Sequence, residues 1–327
     1  MLILGIETSC DETAAAVIKD GEVILSNVVA TSLKEHIKFG GVIPEIASRR
    51  QMEFINAVVQ EALTKAGLKL KDVDKIAVTQ SPGLIGSLLV GISYARALSF
   101  ATAKPLIEID HIKAHLYASF LRFADKYPVA PSPQLPAIGL VVSGGHSSLY
   151  HIKSFTEFRL LGQTRDDAAG EAFDKVARIL DLGYPGGPII DRLAKGGFNR
   201  EVSFAAAQME NSFDFSFSGV KTAVLYYRRK NPSADVRKIA YSFQDSVVSI
   251  LIKKALEACR KKKIRTLLLG GGVAANSALR ERLTQQAQEK DVQVFFPPMS
   301  LCLDNAAMIA GLAFHTRART AQTVRKR

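Results

Sequence analysis

Two histidines stand four residues apart in HIKAH, residues 111–115, in a chain that has six histidines in all. On a helix, positions i and i+4 share one face a turn apart, so His111 and His115 can aim two imidazole nitrogens at one metal ion. The other reading is a pair of histidines satisfied by ordinary hydrogen bonds, and the spacing alone does not choose between them. Two ligands do not close a site. A third is on offer in PPMSLCLDNAAMIAG, where Asp304 stands at the mouth of a helix. A carboxylate there also serves as an N-cap, and one carboxylate does not fill both roles equally well.

Other residues have the chemistry of an anion site. IETSCDET, VVSGGHSSL and LGGGVAAN each carry an apolar run into a small polar turn. Glycine turns let backbone N–H groups come close to phosphate oxygens, and a following helix adds a favourable dipole. Three of them suggest a nucleotide; the plainer reading is tight strand–helix connections. QSPGLIGSLLVG, residues 80–91, is a further glycine-punctuated helix entry that can serve packing alone. DDAAGEAFDKVARIL gathers Asp166, Asp167, Glu171 and Asp174 near one helix start, followed by LGYPGGPIID. Acids in a first turn often only balance the helix dipole. Here Gly186 and Gly187 would also permit close approach of a ligand, and Asp191 could accept from its hydroxyls.

Positioning these residues takes two α/β halves of similar plan. LILGIET is a buried strand, AAAVIKDGEVILSNVVA two strands around Asp20-Gly21, and residues 43–66 a helix with Pro44 in its first turn. IAVTQ and PLIEI are strands flanking a helix over 85–103, and HIKAHLYASFLRFA closes the half as a helix. KYPVAPSPQLP, residues 126–136, has four prolines and reads as a linker. Then AIGLVVSGGHSSLYHI gives two strands around a Ser-Gly-Gly turn, with helices near 168–181, 188–195, 218–229 and 235–259. A strand, a glycine turn and a helix follow in TLLLGGGVAANSALRERLTQQA, VQVFF is the last strand, and a helix spans 305–319. The expected domains are 1–130, completed by the C-terminal helix 302–327, and 137–300.

Composition bounds the setting. Hydrophobic residues make up 47% and charged ones 23% of 327 residues, the balance of a soluble globular protein. No apolar run has the length expected of a membrane span, and MLILGIETSCDE lacks the basic start of a signal peptide. Three scattered cysteines without a CxxC pair fit reduced thiols and a cytoplasmic location. The net charge of +12 concentrates at residues 228–230, 260–263 and the tail 317–327. Such clusters suit a polyanion, whose counterions are released on binding, or are simply a solvated basic surface.

The motifs named above, with GGVIPEIASR and FSFSGVKTA, occur together and in order, and the chain resembles the bacterial TsaD family, relatives of the Kae proteins once described as glycoproteases. The likeness spans essentially the whole chain and is weakest over the last ten residues. It implies an actin/Hsp70/sugar-kinase (ASKHA) fold, two ribonuclease-H-like domains around a nucleotide cleft. It also implies transfer of a threonylcarbamoyl group from threonylcarbamoyl-adenylate to the exocyclic amine of the adenosine 3′ of the anticodon, in tRNAs reading codons that begin with A. By the same resemblance His111, His115 and Asp304 bind one iron(II) or zinc ion. Val142, Ser143, Gly144, Gly145, His146, Asp174, Gly187, Asp191 and Asn276 hold the adenylate, and no side chain is marked as general acid or base. The implied partners are tRNA, a TsaB-like paralogue, a TsaE-like ATPase and a separate synthase that supplies the adenylate. To hold tRNA, the clusters at 228–230 and 260–263, with the tail, would form a basic track. One departure from the wider class is Glu7, where its first phosphate loop usually has aspartate.

Two other activities compete. The fold plan and phosphate turns also suit a small-molecule kinase, which would not need two helical histidines and a distant aspartate on one metal. A metalloprotease of the helical zinc type needs glutamate directly after its first histidine. Here that residue is Ile112.

Overall fold

The computed structural model describes residues 1–124, 132–196, 202–204 and 212–317. The linker expected over 126–136 and the basic tail therefore lie largely outside the described residues. The chain divides into two compact units, Met1–Ser132 with Leu303–Arg327, and Pro133–Cys302.

The first unit is a sheet of β1 (Leu2–Glu7), β2 (Glu12–Lys19), β3 (Val23–Thr31), β4 (Lys75–Ser81), β5 (Leu106–Asp110) and β6 (Arg122–Phe123). β1, β2 and β3 form an antiparallel meander, while β4 and β5 extend it in parallel beyond β1. The continuous apolar run of β1 has its reason there: Ile3, Leu4 and Ile6 are wholly buried, as strands covered on both faces require. The helices are α1 (Leu33–Ile37), α2 (Pro44–Lys65), α3 (Ile85–Thr102) and α4 (His111–Tyr117).

The second unit repeats the plan. Its sheet runs in the order β11 (Gln293–Phe295), β10 (Thr266–Gly270), β7 (Ala137–Val142), β8 (Ser147–Ser154) and β9 (Glu157–Gln163). Again the first three strands form an antiparallel meander and the last two add in parallel. The helices are α5 (Ala169–Ile179), α6 (Gly186–Leu193), α7 (Ser218–Lys230), α8 (Val236–Lys262) and α9 (Ser277–Gln288). α8 is the spine of this core, burying Phe243, Val247, Leu251 and Ala255. The chain then completes the first unit with α10 (Ala306–Ala313), every residue of which is buried.

Four expectations change. The helix opened by HIKAH stops at Tyr117, passes through a turn at Ala118–Phe120 and ends as β6, because the Arg122 N–H donates to the Glu22 carbonyl beside β3. The last helix ends at Ala313, not 319: the N–H groups of Phe314, His315 and Thr316 bond three residues back, and His315 Nε2 meets Tyr117 Oη at 2.9 Å. β9 is a strand that sequence reading did not separate, since it is a largely exposed edge with little alternation. Finally, α3 is long and apolar enough by composition to cross a membrane. It packs beside β4 and α2, with Arg96 ion-paired to Glu108 of β5.

Candidate metal centre and nucleotide turn

Asp110 caps α4, accepting from the Lys113 N–H at 3.0 Å, and so fixes where the first turn begins. His111 and His115 follow on its inward face, 6% and 0% exposed. Asp304 arrives on the segment leading into α10. The capping ambiguity resolves through its neighbour: Asn305 caps α10 by accepting from the Met308 N–H, and its amide also donates to the Leu303 carbonyl. Asp304 is not consumed as a cap. It lies 3.2 Å from His115 Nε2 and 3.6 Å from His111 Nε2. Ligand atoms of neighbouring positions on a zinc-sized ion, each about 2.1 Å from the metal, are roughly 3.0–3.4 Å apart.

The donor set fits a cation. Neither ring nitrogen of His115 has a hydrogen-bond partner, although the ring is fully buried. Its Nε2 is near Asp304 but is not aligned to donate, so a polar group is left uncompensated that a metal would satisfy. His111 is held from behind. Its Nδ1 is 3.1 Å from Glu7 Oε2 and 3.1 Å from Ser9 Oγ. With Nε2 on a metal, Nδ1–H donates to Glu7, the carboxylate–histidine–metal relation that fixes tautomer and ring orientation. Glu7 is itself buried and also accepts from the Thr79 hydroxyl and the Ser9 N–H.

The local field is negative. Burial pushes His111 toward neutrality, yet Asp304 and Glu7 outweigh it and hold the imidazole up at about 9. Burial dominates at His115 and lowers its pKa. Burial, then Asp304 and Asp11, drives Glu12 well above the usual carboxylate range, and burial with the same acids raises the Cys10 thiol. Such mutual repulsion is relieved by a bound cation.

The second unit brings together a different set. Val142 ends β7, and the turn that follows is closed by the Ser143 N–H donating to the His146 carbonyl at 2.7 Å and the His146 N–H donating to Ser143 Oγ. Two remote glycines are packing devices. A Cβ on Gly271, at φ +89°, would fall 2.4 Å from the Val142 carbonyl oxygen, and one on Gly170 would fall 2.6 Å from that of Ser143. Gly144, Gly145 and Gly187 are the reverse: a Cβ on any of them would meet nothing within 4 Å. Asp174 accepts from the Gly186 N–H at 2.7 Å, and burial raises its pKa. Asp191 accepts from the Ser277 hydroxyl and N–H. Asn276 caps α9 through Leu279 N–H and donates to Gln244.

Residues 23–311 match the TsaD family, described as tRNA N6-adenosine threonylcarbamoyltransferase. The chain belongs to the TsaD family. It is 50% identical over 317 residues to the tRNA N6-adenosine threonylcarbamoyltransferase of Clostridium botulinum strain Hall, covering 95% of this chain and 91% of that one. In fold it is similar to component A of the (R)-2-hydroxyglutaryl-CoA dehydratase of Acidaminococcus fermentans, with 17% identity, a TM-score of 0.58 and coverage of 96% and 98%. It is also similar to the activator of the 2-hydroxyisocaproyl-CoA dehydratase of Clostridium difficile with bound ADPNP, at 15% identity, TM-score 0.53 and coverage of 100% and 97%. The fold is of the ASKHA class, and the TsaD chain is a tRNA-modifying transferase; the family and its relatives do not favour the kinase or protease readings.

Within the TsaD chain, sequence reading missed three things. Glu7 backs His111, and its signal was present: an acid ending an apolar strand, with no lysine or arginine nearby in sequence, needs a buried partner. Asp166 has a structural task within the fold. It accepts from the hydroxyls of Ser216 and Ser218 and the Phe217 N–H, and these outweigh burial to lower its pKa. Asp167 pairs with Lys175 and Lys221. These two acids tie the FSFSG segment to the start of α5.

Proposed function

We propose that the chain transfers the threonylcarbamoyl group from threonylcarbamoyl-adenylate to N6 of the adenosine 3′ of the anticodon in tRNAs that read codons beginning with A. The observation that carries the detail is the convergence of His111, His115 and Asp304, with buried His115 unsatisfied, in a TsaD chain whose second unit has an open glycine turn. His111, His115 and Asp304 would hold one divalent ion, iron(II) or zinc. When bound it supplies a Lewis acid for carbonyl oxygen. Glu7 keeps His111 in the tautomer with Nε2 free.

The adenylate is assigned to the second unit. The turn Val142, Ser143, Gly144, Gly145, His146 lies at the end of β7 and would face the phosphate, with open space beside Gly144 and Gly145. Asp174, Gly187 and Asp191 surround the ribose or threonyl part, and Asn276 holds the start of α9 beside them. The mixed anhydride is already activated, so the amine nitrogen bonds to the carbamoyl carbon, the bond from that carbon to the phosphate oxygen breaks, and AMP leaves as the amine loses a proton. The protein's share is positioning and charge stabilisation.

The TsaB-like partner finds support in α3, where Ile85, Leu89 and Phe100 are exposed along one face; pairing there would cover them. A TsaE-like ATPase and a separate synthase complete the system. The test is incubation of the chain and its helpers with threonylcarbamoyl-adenylate and unmodified tRNA, followed by nucleoside analysis. Threonylcarbamoyladenosine at the position 3′ of the anticodon is the expected product. Unmodified adenosine throughout, with consumption of ATP on a small molecule, would return the kinase reading.

A further inference from the structure

The two basic clusters do not form one patch. α8 has 27 residues and is therefore about 40 Å long at 1.5 Å per residue. Residues 260–263 end it and lead into the start of β10. β10 runs parallel to β7, so this cluster lies where β7 begins, whereas the Val142–His146 turn lies where β7 ends. The other cluster is on the turn-bearing side. Gln244 of α8 bonds Asn276, just past the end of β10, and α8 continues outward from Gln244 for about 12 Å to its first residue. There it meets the end of α7, which carries residues 228–230. α7 also starts on this side: Asp166 accepts from Phe217 and Ser218, and Thr164 next to it donates to Ser147, the cross-strand partner of Val142.

The sequence of α7, SGVKTAVLYYRRK, contains no acid. Its inward face buries Val220 and Val224, and Tyr227 packs edge-on against Phe204. The outward face presents Gly219, Thr222, Tyr226, Arg229 and Lys230, all exposed, with Tyr226 at 64%. Tyr226, Arg229 and Lys230 are at i, i+3 and i+4, so they share one face. Arg228 and Arg237 are used within the corner, on the Pro232 carbonyl and on Asp235. Arg229 and Lys230 have no ion pair or hydrogen bond among the described residues. By contrast, Lys261 in the far cluster is paired with Glu257 and lies over Phe213.

We infer that the outward face of α7 is the RNA-holding surface: Arg229 and Lys230 contact backbone phosphates of the anticodon stem-loop, and Tyr226 stacks on an unpaired loop base. This rests on the tRNA transferase reading and deepens it. An unpaired base gives an aromatic ring a π-face to stack on, and adjacent cations neutralise the phosphates beside it. An exposed tyrosine followed one turn later by two cations that have no ion pair among the described residues, on a helix with no acid, has that composition. The cluster at 260–263 is left as solvated surface.

The test is binding of a labelled anticodon stem-loop to the full metal-loaded chain across a salt series. Tyr226→Ala should weaken binding about tenfold and Tyr226→Phe should restore it, because stacking needs the ring and not the hydroxyl. Replacing Arg229 and Lys230 together by alanine should lower the slope of log affinity against log salt by about two. Alanines at Arg260, Lys262 and Lys263 should change neither. All variants should keep wild-type melting temperature and metal content. If the wild type binds and the α7 variants bind as well, the α7 surface is wrong while the transferase reading stands. If the wild type binds no RNA with helpers present, that reading fails and takes the α7 surface with it. Loss of modification without loss of RNA binding assigns the face to an acidic protein surface and overturns the proposal.

Discussion

After β1 the chain turns through Thr8, Ser9, Cys10 and Asp11; after β7 it turns through Ser143, Gly144, Gly145 and His146. The strand order around both turns is the same. The first turn is bracketed by Glu7 and Glu12, packs its Ser9 backbone against Gly83, and has its Thr8 and Cys10 carbonyls engaged by Gln51. The second leaves two glycines open. One topology thus yields an acid-bracketed turn in the first unit and an open glycine turn in the second. The difference lies in side chains at the strand ends, not in the backbone plan.

Removing a ligand is the sharpest way to break that contrast. His111→Ala should abolish bound metal and transfer while α4 and the sheets persist; wild-type metal content by elemental analysis would reject the site. Glu7→Gln should leave the ligands in place but weaken zinc affinity about 10–100-fold, read by competition with a chelator. An affinity within twofold of wild type would make Glu7 a packing residue only. In the second unit, Gly271→Ala should cost at least about 2 kcal/mol, from the positive φ and the clash with Val142, measured by denaturant unfolding. Gly144→Ala should stay within about 0.5 kcal/mol of wild type and instead weaken adenylate binding by calorimetry. Equal effects of the two substitutions would erase the distinction between packing glycines and open ones.

The smallest effect is on pH. Metal-free His111 is held at about 9, above its ordinary 6.5. Its contribution to stability is therefore complete below about pH 6.5 and is lost as pH rises through about 9. The melting temperature of the metal-free chain should fall over that window. Zinc affinity should rise over the same window, since the ion displaces the proton. A flat melting profile from pH 6.5 to 10 would show that the Glu7 and Asp304 carboxylates do not hold that proton.

The repeated plan was legible because buried strands and glycine turns leave strong local marks, as in LILGIET and AIGLVVSGG. The histidine pair was legible for the same reason: helical spacing put both rings on one face of α4. Whether Asp304 caps a helix was not, because shifting the cap by one residue, to Asn305, changes no periodicity. The fate of Asp166 and Asp167 was hidden too, since Ser216, Ser218 and Lys221 lie some fifty residues on, in a segment whose path is set by tertiary packing. Nor could a string of residues say that 228–230, at the end of α7, lie by the start of α8 while 260–263 lie at its far end.

α10 sits against β1 so closely that a Cβ on Gly5 would fall 2.4 Å from the Ala306 carbonyl oxygen. That helix brings in Asp304, yet the whole second unit is synthesised between α4 and α10. A nascent chain thus carries both imidazoles long before it has the carboxylate that completes their cluster. If the cluster binds an ion as proposed, all three ligands are available only to a chain in which α10 has been made and has docked on β1, so loading would follow completion of the first unit.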